Sequence, residues 1–258
     1  MVTVDVLDRG AALNMFDEAL AGRVPPTAVA SANLDHIHHF AGTATVLPTG
    51  VRDTIQWLTL LDGRPVVNAV GRQAAGAPVA ALPGCELIGP VLDLAGARGA
   101  RVALVGGGSA TRAYWHDVLP ERRPGLVMAG VWPVRWAELD QPGGGAALAR
   151  DVASAEPDVL VVSLGKPRQE LWLRDHMAGT GAKLALAFGS AVDYVAGTTR
   201  RPPGWAVGIG AEWLVRLARE PRRLGRRYLV NGPPALLKIR RDLVVVTPDR
   251  NLDPYGSR

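Results

Sequence analysis

Val159-Leu-Val-Val-Ser163 is an apolar run with no polar alternation, and it passes at once through Gly165 and Pro167 into a helical series, Gln169, Glu170, Trp172 and Leu173. A strand apolar on both faces must be covered on both, which is the situation of a parallel strand inside a helix-flanked sheet. The same grammar recurs along the chain. Val2 to Leu7 reads as a strand and Ala11 to Ala21 as a helix. Thr27 to Ser31 is a second strand, ending at Asn33 before a helix from Leu34. Arg101 to Val105 is a strand that leads through Gly106-Gly-Gly108 into a helix. Leu126 to Val131 and Lys183 to Phe188 are further strands, and Cys85 to Ala97 and Ala146 to Ala155 are helices. Thr54 to Leu61 fits either a helix or a short strand and stops at Asp62-Gly63. Pro65 to Val70 fits a strand or a helix start, and Gln141 to Gly145 a flexible loop. Strands alternating with helices predict an α/β chain with a mainly parallel sheet and helices on both faces.

In such sheets ligands gather where strands give way to helices. Lys166 and Arg168 stand in one such turn beside free backbone N–H groups, a natural place for an anion, although solvated charges in a plain loop would look the same. Gly106, Gly107 and Gly108 form a second turn that suits a phosphate, with a tight turn holding no ligand as the lesser alternative. The dinucleotide pattern G-x-G-x-x-G/A fails at its last position, Thr111, which speaks against a nicotinamide or flavin cofactor. Asn33 and Asp62-Gly63 each end an element, and a carboxylate beside a tight turn can serve as a general base. Asp-Gly is also common in ordinary turns. His36, His38 and His39 match no standard metal-site spacing, and no Asp-x-Asp pair is present to hold a divalent ion. The single cysteine, Cys85, excludes an internal disulfide and reads as a core residue in a reducing compartment.

Charge is unevenly placed. The segment from Ala211 to Arg241 holds nine basic and two acidic residues, +7 where the whole chain is +5, so the remainder carries −2. Leu214, Leu217, Leu224, Tyr228 and Leu229 interleave with Arg216, Arg219, Arg222, Arg223, Arg226 and Arg227. Such a pattern suits a helix lying on an anionic bilayer or clamping phosphates; a nucleic-acid groove would also be basic. We expect an α/β core over residues 1–205, a basic amphipathic C-terminal helical appendage over 206–246, and a disordered tail over 247–258. The first residues, Met1 to Asp8, carry two acids and no basic cluster, unlike a secretory leader, and no uncharged run is long enough to span a bilayer. The expectation is a cytoplasmic protein.

Three ordered blocks resemble the WecG/TagA/CpsF family of bacterial glycosyltransferases. The first is Ser31-Ala-Asn33 with Leu61-Asp-Gly63. The second is Leu164-Gly-Lys-Pro-Arg-Gln-Glu170. The third runs from Phe188 to Tyr228 through Gly189, Asp193-Tyr-Val-Ala-Gly197, Arg201-Pro-Pro-Gly-Trp205, Glu212-Trp-Leu-Val-Arg216, Glu220-Pro-Arg-Arg-Leu224 and Arg226-Arg-Tyr228. The resemblance implies a Rossmann-like core and a metal-independent, inverting transfer from a UDP-sugar to a polyprenyl-diphosphate-linked sugar. The work would be done by a peripheral protein on the inner face of the cell membrane, in surface polysaccharide or teichoic-acid-like synthesis. No cofactor and no nucleic-acid partner are expected, and a homo-oligomer is left open.

By the same resemblance Asp62 is the candidate base, Asn33 and Gln169 line the donor pocket, and the C-terminal arginines cover the site and meet the membrane. Two departures are small: Ser31 stands where the family usually has Thr, and Leu61 where it often has Pro. A third is larger. The family commonly carries an Arg beyond the Asp-Gly turn, where this chain has Ala80 or Ala81; Arg72 or a C-terminal arginine would take that role. The full set expected to touch substrate is Ser31, Asn33, Gly63, Arg72, Gly106, Gly107, Gly108, Gly165, Lys166, Arg168, Gln169, Glu170, Gly189, Asp193, Arg201, Arg216, Arg223 and Arg226 around Asp62. Gln169 is favoured within its turn as the donor contact, with Lys166 and Arg168 tuning the local field. The alternatives are a nucleotide-dependent α/β oxidoreductase or sugar-nucleotide modifier, and a non-catalytic basic module for membranes or nucleic acid.

Overall fold

The computed structural model describes residues 2–42, 47–48, 50–52, 54–73, 79–208 and 211–246. Its centre is a nine-stranded sheet: β1 (Val2–Asp5), β2 (Thr27–Ala32), β3 (Gly50–Arg52), β4 (Ile55–Leu61), β5 (Arg101–Gly106), β6 (Val127–Trp132), β7 (Val159–Ser163), β8 (Leu184–Leu186) and β9 (Leu243–Val246). The order is β6-β5-β7-β8-β2-β4-β1-β9, every pairing along it is parallel, and β3 adds antiparallel to β4. The expected α/β class, with its mainly parallel sheet, is what the chain adopts.

Strand residues alternate between two apolar layers, as the pleat requires. Ala103, Val105, Leu160 and Val162 face one layer, with Ile37, Phe40, Val66 and Trp172 from the helices Leu34–Phe40, Arg64–Gln73 and Arg168–His176. Val102, Leu104, Val159 and Val161 face the other, with Phe16, Leu87, Leu92 and Trp115 from Arg9–Leu20, Gly84–Arg98 and the turn Tyr114–Val118. Helices thus cover both faces. The Thr54 to Leu61 ambiguity resolves as strand β4, whose side chains are all buried; a central strand has no solvent face to give it polar alternation. Pro65 to Val70 lies within a helix.

The basic C-terminal region is bound to the body at both ends. Helix Glu212–Arg219, the short helix Pro221–Gly225 and the π-helical turn Arg226–Asn231 form an excursion. The helix Gly232–Asp242 then comes home. Its Ala235 and Ile239, four apart and so on one face, are buried in the first apolar layer, and Lys238 Nζ donates to the Ala41 carbonyl at 3.2 Å. Leu243–Val246 pairs with β1 from Val2↔Leu243 to Asp5↔Val246. The expected appendage of 206–246 therefore ends in an edge strand of the sheet itself. The tail expected to be disordered lies outside the described residues.

Candidate active site

From β5 the chain steps to β6 on one side, and β7 lies on the other, so a crevice opens where β5 and β7 end. Gly106 ends β5 with φ 89°, and a Cβ there would stand 2.3 Å from the Ser163 carbonyl oxygen, so only glycine lets the two strand ends meet. Gly107 N donates to that same oxygen at 3.2 Å, and Ser163 Oγ donates to the Gly189 carbonyl at 3.0 Å. Three loops are thereby locked side by side. They floor a cleft of about 570 Å³ lined by Gly106, Gly107, Gly108, Gly165, Lys166, Gly189, Ser190 and Asp193 from the body. Asp35 and His39 of the helix Leu34–Phe40 form a second wall, and Leu224, Arg226, Arg227 and Asn231 of the excursion close the third.

Among the described residues the one cation of the body wall, Lys166, is neutralised inside it. Lys166 Nζ bonds Glu170 Oε1, and both side chains are almost fully buried, at 7% and 0% exposure. His36 is buried against Lys166, 3.5 Å away, and burial followed by that positive neighbour holds its imidazole neutral, well below the usual histidine range. Across the cleft Thr111 Oγ1 donates to Asp193 Oδ1 at 2.6 Å and pairs with Thr198 at 3.1 Å. The residue that spoils the dinucleotide pattern is thus the one that fixes a cleft carboxylate. Asp193 and the glycines Gly107 and Gly108 line the same cleft.

Gln169, favoured as the donor contact, lies beneath the cleft floor. It is 2% exposed, its amide nitrogen donates to Ala187 O at 2.7 Å and Glu170 Oε1 at 3.1 Å, and its oxygen lies against Gly189. Its amide nitrogen thus ties the helix Arg168–His176 to the segment before Gly189, while its Oε1 is buried with no hydrogen-bond partner among the described residues. Arg168 turns outward to Asp140 at 3.3 Å and stacks over Trp136 at 4.4 Å.

A second cluster forms at the ends of β2 and β4. Asn33 caps the helix Leu34–Phe40 by accepting from His36 N at 3.1 Å, and its Nδ2 donates to Asp62 Oδ2 at 3.0 Å. A single side chain thereby sets both the helix and the carboxylate. Ser31 is buried in β2 opposite Leu60, and Gly63 carries the turn at φ 84°. Arg216 of the excursion lies within electrostatic reach of Tyr228, Tyr194, Asp62 and Glu212. Burial works against its charge, and these neighbours more than offset that. Its Nη2 donates to Ser190 Oγ at 3.3 Å, and Ser190 lines the cleft. Glu212, 3.8 Å from Arg216, has its carboxyl raised, by burial first and then by Asp62 and Glu86 beyond what Arg216 offsets. Cys85 lies in the same neighbourhood, where burial pushes its thiol up to about 11, the behaviour of a packing residue.

Of the residues expected from sequence, the glycine turns, Lys166, Asp193 and Arg226 meet at the cleft, and Asn33, Asp62 and Arg216 meet beside it. Arg201 is exposed and lies 5.9 Å from the Tyr194 ring. Arg72 is exposed on its helix and does not line the cleft, and the side chain of Arg223 lies outside the described residues. Ser190, Arg227, Asp35, His39 and Glu212 were not singled out as site residues. For Asp35 and His39 the signal was present as an i, i+4 acid–histidine pair behind a cap residue. Among the described residues no helix is long and apolar enough to cross a membrane.

A family model described as the glycosyl transferase WecG/TagA/CpsF family matches residues 1–247. The chain belongs to that family.

Proposed function

From that membership, and from the two clusters joined by Arg216, we propose that this glycosyltransferase moves a sugar from a UDP-sugar to a polyprenyl-diphosphate-linked sugar, with inversion and without a metal. The observation that carries the reading is the placement of Asp62. Its carboxylate is aimed by Asn33, and the Arg216 guanidinium, within its electrostatic reach, bonds Ser190 at the rim of a cleft large enough for a sugar nucleotide.

In this mechanism the nucleoside hydroxyls lie toward Asp193 and the diphosphate toward Arg226 and Arg227. The donor sugar points toward Ser190 and Asp62. The acceptor hydroxyl enters beside Asp62, which takes its proton as the oxygen attacks the anomeric carbon. The bond from that carbon to the diphosphate oxygen breaks in line, and its electron pair leaves with UDP. Proton removal supplies about 10²–10⁴-fold of the rate. Arg216, largely buried and bonded to Ser190, and Arg226, which lines the cleft, stabilise the charge that develops on the diphosphate. Exposed Trp205, Trp213, Leu214, Leu229 and Leu237 stand among the arginines of the C-terminal region and suit the interface of an anionic membrane, where a lipid-linked acceptor is held.

The test is thermal stabilisation by a panel of UDP-sugars, followed by transfer to a short-chain lipid-diphosphate sugar. Stabilisation by at least one UDP-sugar and formation of the inverted glycoside are expected. A protein indifferent to every uridine nucleotide would defeat the reading.

A further inference from the structure

His39 stands in the cleft wall with Nε2 3.5 Å from Asp35 Oδ1, and the Asp35 side chain is only 8% exposed. The neighbours of this pair are numerous and charged. His36 and His38 share its helix, and the His38 ring lies 4.9 Å from that of His39. Lys166, already paired with Glu170, comes from the turn after β7. From the excursion Arg227 places Nε 3.3 Å from Asp35 Oδ2, without the alignment of a hydrogen bond, and Arg226 lines the same cleft. Lys238 approaches from the C-terminal helix, on the His38 side. Asp193 faces the cleft from the far wall, tied to Thr111. Asp35 is held ionised: burial alone would raise its carboxyl, but His39, Arg227 and Lys166 together keep it below its ordinary value.

These charges nearly cancel. Lys166 is spent on Glu170, and Asp35 and Asp193 balance Arg226 and Arg227. A diphosphate entering this cleft brings negative charge to walls that are neutral without His39. Histidine is the side chain whose charge changes between about pH 5 and 8. Of the others nearby, His36 is kept neutral by burial and His38 does not line the cleft.

We infer that His39, backed by Asp35, is a proton-dependent ligand for the donor's diphosphate, so that donor binding takes up a proton at this residue. The inference rests on the proposed donor class and adds to it a residue that the family motifs do not contain. Asp35 orients the His39 ring and keeps Arg227 in place. The incoming diphosphate becomes the second anion that favours the protonated ring.

The experiment is calorimetric titration of the full chain with UDP-glucose and UDP-N-acetylglucosamine between pH 5.5 and 8. Their diphosphates are diesters and do not titrate in this range. Each pH is repeated in two buffers of different ionisation enthalpy. We expect affinity to fall roughly tenfold across the range, the size of one charge-assisted hydrogen bond, with proton uptake detected near the midpoint. His39→Gln should bind at the wild type's high-pH affinity throughout, and His39→Arg tightly throughout. His38→Gln should keep the wild-type slope. A flat wild-type profile, or a His39→Gln slope equal to wild type, overturns the inference while leaving the donor reading intact. Failure of every UDP-sugar to bind at any pH defeats the donor reading and this inference together.

Discussion

The wall that the body gives the cleft and the wall that the C-terminal excursion gives it are built on opposite plans. In the body wall each charged side chain is held from within: Lys166 by its ion pair with Glu170, Asp193 by a hydrogen bond from Thr111, with the Gln169 amide pinned to Ala187 underneath. In the excursion arginines outnumber acids, and large apolar side chains stand in solvent, Leu229 at 62% and, on the returning helix, Leu237 at 76%. The body supplies shape, set before any ligand arrives. The excursion supplies charge and a greasy face. Asp62 sits on the seam, aimed by the body's Asn33 and within electrostatic reach of the excursion's Arg216.

The seam is where a substitution should change chemistry most and structure least. Asp62→Asn is expected to lower turnover by about 10²–10⁴-fold, with UDP-sugar affinity within a few-fold of wild type. Asparagine keeps the size and an oxygen for the Asn33 amide but cannot take a proton. Turnover near wild type would remove Asp62 from the base role and move the chemistry into the cleft.

The next largest effect tests the body's plan directly. Glu170→Ala leaves Lys166 buried without its partner. Breaking a buried pair from one side costs about 3–5 kcal/mol, read as a lower denaturation midpoint. Glu170→Gln, which keeps one acceptor for Lys166 Nζ, should recover part of it. Equal stability in all three proteins would mean the body wall is as loosely built as the excursion.

The plan of the body was legible in the sequence to the extent that apolar runs are uninterrupted. β5 and β7 announce themselves because a central parallel strand is apolar on both sides. β4 was ambiguous for the same reason, since Ile55-Gln-Trp-Leu-Thr-Leu-Leu61 has no alternation to separate strand from helix. Neither β3 nor β9 was anticipated. β3 is only Gly50–Arg52, and β9 follows directly on a basic helix that dominates the reading of its segment. At the site, motif position marked Asp62 and Asn33 but could not place Gln169. The burial of an amide under Gly189 depends on how the loop after β8 folds over the helix Arg168–His176. The Arg216–Ser190 link joins residues 26 apart in sequence, which no local pattern reports.

Asp5 offers a smaller test at the point where the C-terminal strand docks. Its carboxylate accepts from Thr59 N at 2.7 Å and pairs in register with Val246 of β9. Burial, only partly offset by that hydrogen bond, pushes it up to about 6 from 3.8. A carboxyl raised on folding favours the folded state below its unfolded value, and the advantage is lost as pH rises through about 6. The stability of Asp5→Asn relative to wild type should therefore grow by about 2–3 kcal/mol between pH 4 and pH 8. A constant difference across that range would show that Asp5 is no more buried than a surface acid.

The smallest expected change in stability belongs to the excursion's apolar face and its continuation. Leu229→Ser and Leu237→Ser alter side chains that are mostly in water already, so unfolding should shift by no more than about 0.5 kcal/mol. If these side chains instead enter a bilayer, each forfeits about 1.5–3 kcal/mol of burial there. Sedimentation with vesicles containing anionic lipid should then fall roughly tenfold for each substitution, in proportion to that loss. The body carries an internal control in Val127, exposed at 41% on β6, whose replacement by serine should leave vesicle binding alone. Loss of stability without loss of vesicle binding would mean that these leucines pack against protein, and the contrast between the two walls would not hold.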